Sequence, residues 1–492
     1  MKRMKKLTSM LLALSLSAGI FTGCNSGGGT KITLEDKDKC PDSRYEINWY
    51  LMSENQSDVH SVEDKINEYL KDKLNVTVKM NCLPSAQYQQ KLSTMINANE
   101  YFDMCFVARW MLNYVDNARA DAFVPLDDYL DTYLKEASEA IGDEVLDCSR
   151  VDGKLCALPV NKEMATQYGW IYRKDIAEKY GIDMTKYKSF EELEPVLKML
   201  KEKEKDIKYP LDWTVDATPA TLYVHENYVF KDGTYPDTET VNFFKTPEFK
   251  KAVETARDFY NKGYVRPDVL TATDQLQRMD EGKTFVMLQP LKPGKAKELF
   301  KASSYDFEQA EVTDAIIDYH AGTGSMTAVS ASSKNPVRVM RFLNLLNSDK
   351  YLKNLVVHGI EGKHYNKSDE NTVDPIVGSG YDLYSDSWAI GNVFLDYLTK
   401  NEDPNKLVKL KEFNDSAKPA KVNKFWLVQD AEMERVSTEI SNVQDKYYKQ
   451  LVMGVVDPSV IDEFNAQLEK VGINEQIEKV NKQYQEFLKA QK

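Results

Sequence analysis

The residues of this 492-residue chain that could do chemistry point away from bond making and towards recognition. His225-Glu226 has no second His one helical turn on, so the metal-hydrolase spacing is missing. His358 and His364 have no Cys partner close by, and no metal site is expected there. Gly322-Thr323-Gly324-Ser325 lacks both the further glycines of a dinucleotide fingerprint and the Lys of a phosphate loop, so no cofactor is implied. Paired acids such as Asp127 and Asp128 read as solvated surface in a chain with 77 acidic residues, although a carbohydrate-cleaving pair stays an alternative. Aromatics are the abundant functional material: 28 Tyr, 19 Phe and 6 Trp. A Trp or Tyr ring offers a flat apolar face and a polar edge, which suits the C–H face and encircling hydroxyls of a sugar ring.

Alternating elements must position such rings. Tyr45–Met52 reads as a strand, and Val62, Ile66, Leu70 and Leu74 follow at helical spacing. Val76, Val78 and Met80 alternate as a second strand, Tyr88, Leu92 and Ile96 mark a second helix, and Phe102–Val107 is a third strand. That order implies a parallel α/β sheet, whose ligands bind beyond the carboxyl ends of the strands. The rule points to the residues after Tyr50 and to Ala108-Arg109-Trp110.

The chain is too long for one core and too apolar, at 42% hydrophobic residues, to be disordered. Lys2, Arg3, Lys5 and Lys6 precede an apolar run from Leu7 to Phe21, shorter than a membrane span, that ends at Thr22-Gly23-Cys24. This resembles a lipoprotein signal over residues 1–23, with Cys24 as the acylated anchor and an extracytoplasmic, membrane-tethered location. Removing those four cations takes the formal charge from −13 to −17, a field that repels nucleic acid. Residues 24–42 read as a flexible tether holding the globule about 20–25 Å from the bilayer. The five remaining cysteines cannot all pair, and Cys82 and Cys105 read as buried thiols.

Ordered motifs continue downstream. Phe123-Val124-Pro125-Leu126-Asp127-Asp128 precedes a hairpin, Asp152-Gly153-Lys154-Leu155-Cys156-Ala157-Leu158-Pro159, then a strand-to-helix step, Tyr172-Arg173-Lys174-Asp175, and a strand over Glu281–Leu288. In that order they resemble the family 1 extracellular solute-binding proteins of ABC importers. Phe342-Leu343-Asn344-Leu345-Leu346, Gly359-Ile360-Glu361-Gly362-Lys363-His364-Tyr365 and Lys411-Glu412-Phe413-Asn414-Asp415-Ser416-Ala417-Lys418 look like the subgroup that ends in a DUF3502 region. Helical repeats at Val436, Ile440, Val443 and Tyr447, and at Ile473, Ile477, Val480, Tyr484 and Phe487, read as helices packed outside the lobes.

The resemblance implies a two-lobe α/β fold like the type II periplasmic binding proteins, with an interlobe cleft and C-terminal helices. One lobe is expected from residues 43–165 with 290–324, and the other from 170–285 with 326–492. It also implies a monomer without enzymatic activity that passes a small solute, usually a carbohydrate, to membrane permease subunits. Candidate ligand contacts in the first lobe are Tyr50, Arg109, Trp110, Tyr114, Asn161 and Glu163; Trp170, Trp213, Gln289 and Trp388 come from the second lobe and crossing strands. A carbohydrate-active enzyme, a peptide-binding protein and a sensor are the competing readings.

Overall fold

A computed structural model describes residues 32–222, 228–230, 239–300, 302–317, 319–419 and 425–490. The signal segment, Cys24 and His225-Glu226 lie outside the described residues.

The first lobe grows from period-two and period-four patterns. Strand β1 (Tyr45–Met52) is followed by α1 (Val59–Leu70), β2 (Val76–Leu83), α2 (Ser85–Asn97) and β3 (Met104–Val107). Ile47, Trp49 and Leu51 project to one face of β1, where Val62, Ile66 and Leu70 of α1 cover them and Trp49 meets Phe342 edge-on at 5.8 Å. Each such side chain contributes about 1.5–3 kcal/mol on burial. The opposite face of the sheet packs Tyr88 and Leu92 of α2 with Phe102 and Phe106. Strands β1, β2 and β3 are parallel, as expected. Past Pro159 the sheet has ended with β4 (Leu158–Pro159), and the expected hairpin is reduced to a reciprocal Val151–Lys154 backbone pair at 2.9 and 3.0 Å.

The second lobe has its own sheet. It starts with β5 (Gln167–Arg173) and β6 (Leu211–Asp212); a small hairpin of β7 (Tyr228–Phe230) and β8 (Thr240–Asn242) follows, then β9 (Val286–Leu291) and β10 (Phe307–Glu311). Strand β5 runs antiparallel between β9 and β10. Gly169 is needed there, because a Cβ would stand 2.3 Å from the Ala310 carbonyl oxygen. Helices Ala431–Val452, Val460–Lys470 and Ile473–Ala490 pack Ile440, Leu451, Phe464 and Ile473 into this core, as the helical repeats predict.

After β11 (Ile316–Ile317) the chain returns to the first sheet as β12 (Met326–Val329), antiparallel to β3. The lobes therefore differ from the expected division. Residues 290–311 belong largely to the second sheet, and 326–417 to the first core, because β12 pairs with β3 and helix Pro336–Ser348 covers β1. Three segments cross between lobes side by side. Thr166 and Ile316 exchange backbone hydrogen bonds at 2.8 and 2.9 Å, and Lys418 N donates to Ala315 at 3.0 Å. Asn414 closes the junction, accepting from Met164 N at 2.7 Å and donating to the Lys162 carbonyl at 2.8 Å.

Residues 32–42, expected to be part of a flexible tether, instead dock on the first lobe. The Glu35 carboxylate receives the forked guanidinium of Arg338 at 2.7–3.1 Å and Arg341 at 3.1 Å, and Arg338 is only 1% exposed. Burial raises the Glu35 pKa, but the hydrogen bonds from Arg338 and Asn335 outweigh it and leave the carboxyl below its usual value. A lowered carboxylate pKa stabilises above the unfolded value and loses that contribution as pH falls through the folded one. Residues 32–42 are accordingly expected to become protease-sensitive below about pH 4, and in Glu35→Ala at neutral pH, with the lobe cores intact; unchanged cleavage of the variant would contradict the docking.

Candidate functional site

At the carboxyl end of β3 the chain makes a tight turn, closed by Ala108 N to the Met111 carbonyl at 3.0 Å and Met111 N to Ala108 at 3.2 Å. Arg109 and Trp110 form its tip, so both point out of the sheet's end. Leu112 and Asn113 then take positive φ, 57° and 38°, which turns the backbone into α3 (Tyr114–Arg119). The segment leading into β12 fixes the turn: Arg109 N donates to the Thr323 carbonyl at 2.9 Å, and the Trp110 indole N–H donates to the Gly324 carbonyl at 2.8 Å.

Trp110 is half exposed, at 50%. Its indole lies 6.1 Å from that of Trp388 at an interplanar angle of 32°, and Phe106 meets both rings, at 5.8 and 5.7 Å. Ser325 Oγ donates to the Trp388 carbonyl at 2.8 Å, so the segment before β12 that holds Trp110 holds Trp388 as well. Two indoles on a rigid support give apolar faces for a ring-shaped solute, beside the backbone just before β12.

Trp388 depends on a buried charge. It stands on the short helix Tyr384–Ala389, where fully buried Lys353 donates to Ser387 Oγ at 2.7 Å and to the Ile390 carbonyl at 2.6 Å. Asp396 completes the knot, 3.2 Å from Lys353 and accepting from Ser387 Oγ at 2.5 Å. Burial pulls the Lys353 pKa down against the opposing pull of Asp396. On the same turn as Trp388, burial and then the like charges of Asp382 and Glu54 raise the Asp386 pKa.

The expected contacts divide. Arg109, Trp110 and Trp388 are brought together, with Trp388 in the first lobe rather than the second. Asn161 is adjacent through the backbone, its N–H on Gly391 at 3.0 Å, but its side-chain amide is committed to the Ala140 carbonyl at 2.9 Å. Tyr114 is fully buried, donating to the Ser149 carbonyl and accepting from Cys156 N; it supports α3 and contacts no cleft. Tyr50 is buried edge-on against Phe102 at 6.2 Å, because both faces of β1 are covered. Trp170 and Trp213 are fully buried in the second core around Phe190, and the Trp170 indole donates to the Tyr187 carbonyl. Glu163 is part-buried, 3.2 Å from Lys292; burial raises its pKa, and Lys162 and Lys292 bring the net value below the usual one. Gln289 is partly exposed on β9, opposite Gly169.

Nothing in the sequence signals an opening of about 670 Å³ between residues 147–153 of the first lobe and the last helix of the second. Trp426 lines it while its indole donates to the Arg150 carbonyl at 2.7 Å. The five described cysteines are all free, and burial pushes Cys105 up to about 12 and Cys156 up to about 11. Among the described residues, no group of three or more His, Cys, Asp or Glu could hold a metal ion, and no helix is long and apolar enough to cross a membrane.

Removing one partner of the buried knot leaves an uncompensated charge. Lys353→Met is expected to destabilise the first lobe by about 3–5 kcal/mol, with part of the loss recovered in the Lys353→Met/Asp396→Leu double variant. Chemical denaturation monitored by Trp fluorescence checks this; an unchanged midpoint in the single variant would contradict it.

Comparison with known proteins places this geometry. Residues 54–353 match the model of the bacterial extracellular solute-binding proteins, and 430–489 that of a domain of unknown function, DUF3502. A carbohydrate ABC transporter substrate-binding protein of Streptococcus pneumoniae is 26% identical over the whole of both chains. The N-glycan transport solute-binding protein NgtS of the same organism superposes with a TM-score of 0.77 at 25% identity, covering 91% of this chain and 100% of that one. Its complex with Man5GlcNAc covers the same shares at 26% identity, with a TM-score of 0.61. Two sheets with separate cores, three crossing segments and a family match over most of the first lobe and much of the second agree: the chain belongs to the bacterial extracellular solute-binding protein family.

Proposed function

We propose that this chain is the capture subunit of an ABC importer, anchored outside the membrane through a lipid on Cys24 and working as a monomer. It binds a carbohydrate between two hinged lobes and delivers it to permease subunits, without cleaving it. The observation that carries the sugar reading is the pair of indoles, Trp110 and Trp388, held at the carboxyl end of the first lobe's sheet with one of them half exposed. The carbohydrate and N-glycan ligands named for its relatives support the same class.

A ligand touching both lobes drives closure by its differential affinity for the closed form. Moving the populations from 1:99 to 99:1 takes about 5.5 kcal/mol. Two stacked rings and several hydrogen bonds at about 0.5–1.5 kcal/mol each are enough.

Thermal unfolding tests the reading against Man5GlcNAc, smaller neutral glycans and control peptides. A bound glycan at a hundred times its Kd is expected to add about 2.7 kcal/mol. Trp110→Ala is expected to weaken that binding about thirtyfold, as for truncation of an aromatic anchor costing about 2 kcal/mol. A shift with peptides alone, or undiminished glycan binding by the folded variant, would overturn it.

A further inference from the structure

Resting on the carbohydrate reading of Trp110, we propose that Gln89 of α2 is a positioning residue for binding. It acts through the backbone of Leu112, which it holds in a strained conformation, and so sets the angle at which the Trp110 ring is presented to the solute. The starting observation is the pair of positive φ values, 57° at Leu112 and 38° at Asn113. Asn enters the left-handed region readily, whereas a bulky side chain such as Leu does not, so Leu112 is forced into a conformation that Asn113 tolerates. The reversal serves the turn before it. The Ala108 carbonyl accepts both Met111 N at 3.2 Å and Tyr114 N at 3.1 Å, so the chain leaving Trp110 has to fold straight back to one oxygen. A leucine stands here because its side chain, 2% exposed, is packed with Tyr88 and Leu92 of α2.

Two side-chain amides hold the reversal. The Leu112 N–H donates to Gln89 Oε1 at 2.9 Å, and the Leu112 carbonyl accepts from Asn117 Nδ2 of α3. A backbone N–H can only donate, so the oxygen of the Gln89 amide must face it; the amide nitrogen then donates to Ser93 Oγ at 3.3 Å, one helical turn along α2. The peptide unit between Met111 and Leu112 is the link to Trp110. One end of it is the N–H held by Gln89, and the other is the Met111 carbonyl, which closes the Trp110 turn on Ala108 N at 3.0 Å. Rotating that unit opens the turn.

Trp110 therefore has two tethers: its indole N–H on the Gly324 carbonyl at 2.8 Å, and its backbone through Gln89. Together they keep the ring at 32° to Trp388. Losing the second lets Leu112 relax to negative φ and the indole tilt. The relaxation offsets the lost hydrogen bond in folding, so the cost falls on binding, where a ring fixed in advance has less freedom to lose. Gln89 is exposed, and changing it leaves the core in place.

Calorimetry with Man5GlcNAc and iodide quenching of tryptophan emission test this on the full chain. Gln89→Met keeps the side-chain length and loses the acceptor; Gln89→Glu keeps an acceptor oxygen. Gln89→Met is expected to weaken glycan binding about fivefold, to increase quenching of the ligand-free protein, and to leave the unfolding midpoint nearly unchanged. Gln89→Glu is expected to restore both readouts. In a Trp110→Ala background, Gln89→Met is expected to change neither affinity nor quenching further. Equal weakening in both backgrounds, Gln89→Glu as damaging as Gln89→Met, or unchanged affinity and quenching in Gln89→Met would overturn the role of Gln89. If no saccharide binds the unaltered chain, the carbohydrate reading falls, while quenching of the ligand-free variants still decides whether Gln89 holds Trp110.

Discussion

The backbone pairing of three crossing segments is the constraint on which the rest of this molecule depends. Thr166, Ile316 and Lys418 lie side by side, joined by main-chain hydrogen bonds, with the Asn414 amide spanning Lys162 and Met164. Main-chain bonds of this kind fix which strands are neighbours while leaving a few residues to absorb rotation, which is how hinged lobes move. They also bring the start of β12 against the turn after β3. The aromatic site exists because of that placement: Thr323 and Gly324, just past the crossing, receive the N–H groups of Arg109 and Trp110.

The site is assembled from parts distant in sequence, and each part is held by a polar anchor rather than by apolar packing alone. Trp110 sits on a two-residue turn, and Trp388 on a short helix pinned by a lysine without solvent contact. Such a buried ion is costly to place and costly to break, and here it fixes the position of a ring that a looser core would let move. The C-terminal helices continue the same plan. They belong to the second core, yet a strap, Phe425 to Val428, carries their influence back to Arg119 and Arg150 in the first lobe.

Much of this was legible in the sequence where the pattern is local. The alternation of Ile47, Trp49 and Leu51, and the spacing of Val62, Ile66 and Leu70, mark their elements directly, and the end-of-strand rule finds Arg109 and Trp110. Lobe membership was not legible, because the pairing of β12 with β3 joins residues more than two hundred apart and leaves no local signature. Tyr114 and Trp170 escaped the sequence for a related reason: a Trp or Tyr in such a pattern looks the same whether its polar atom meets a ligand or the carbonyl of Ser149 or Tyr187, and Trp213 is simply buried in the second core. The docking of residues 32–42 was hidden too, since Glu35 sits in a charged run and its partners, Arg338 and Arg341, are about three hundred residues away.

The central claim is that two lobes close on this hinge around a saccharide. Small-angle X-ray scattering of the full chain, without ligand and with saturating Man5GlcNAc, tests it most directly. The account predicts a smaller radius of gyration in the saturated state, and no such change in Trp110→Ala at the same glycan concentration. A radius that stays constant while calorimetry shows the glycan bound would contradict it.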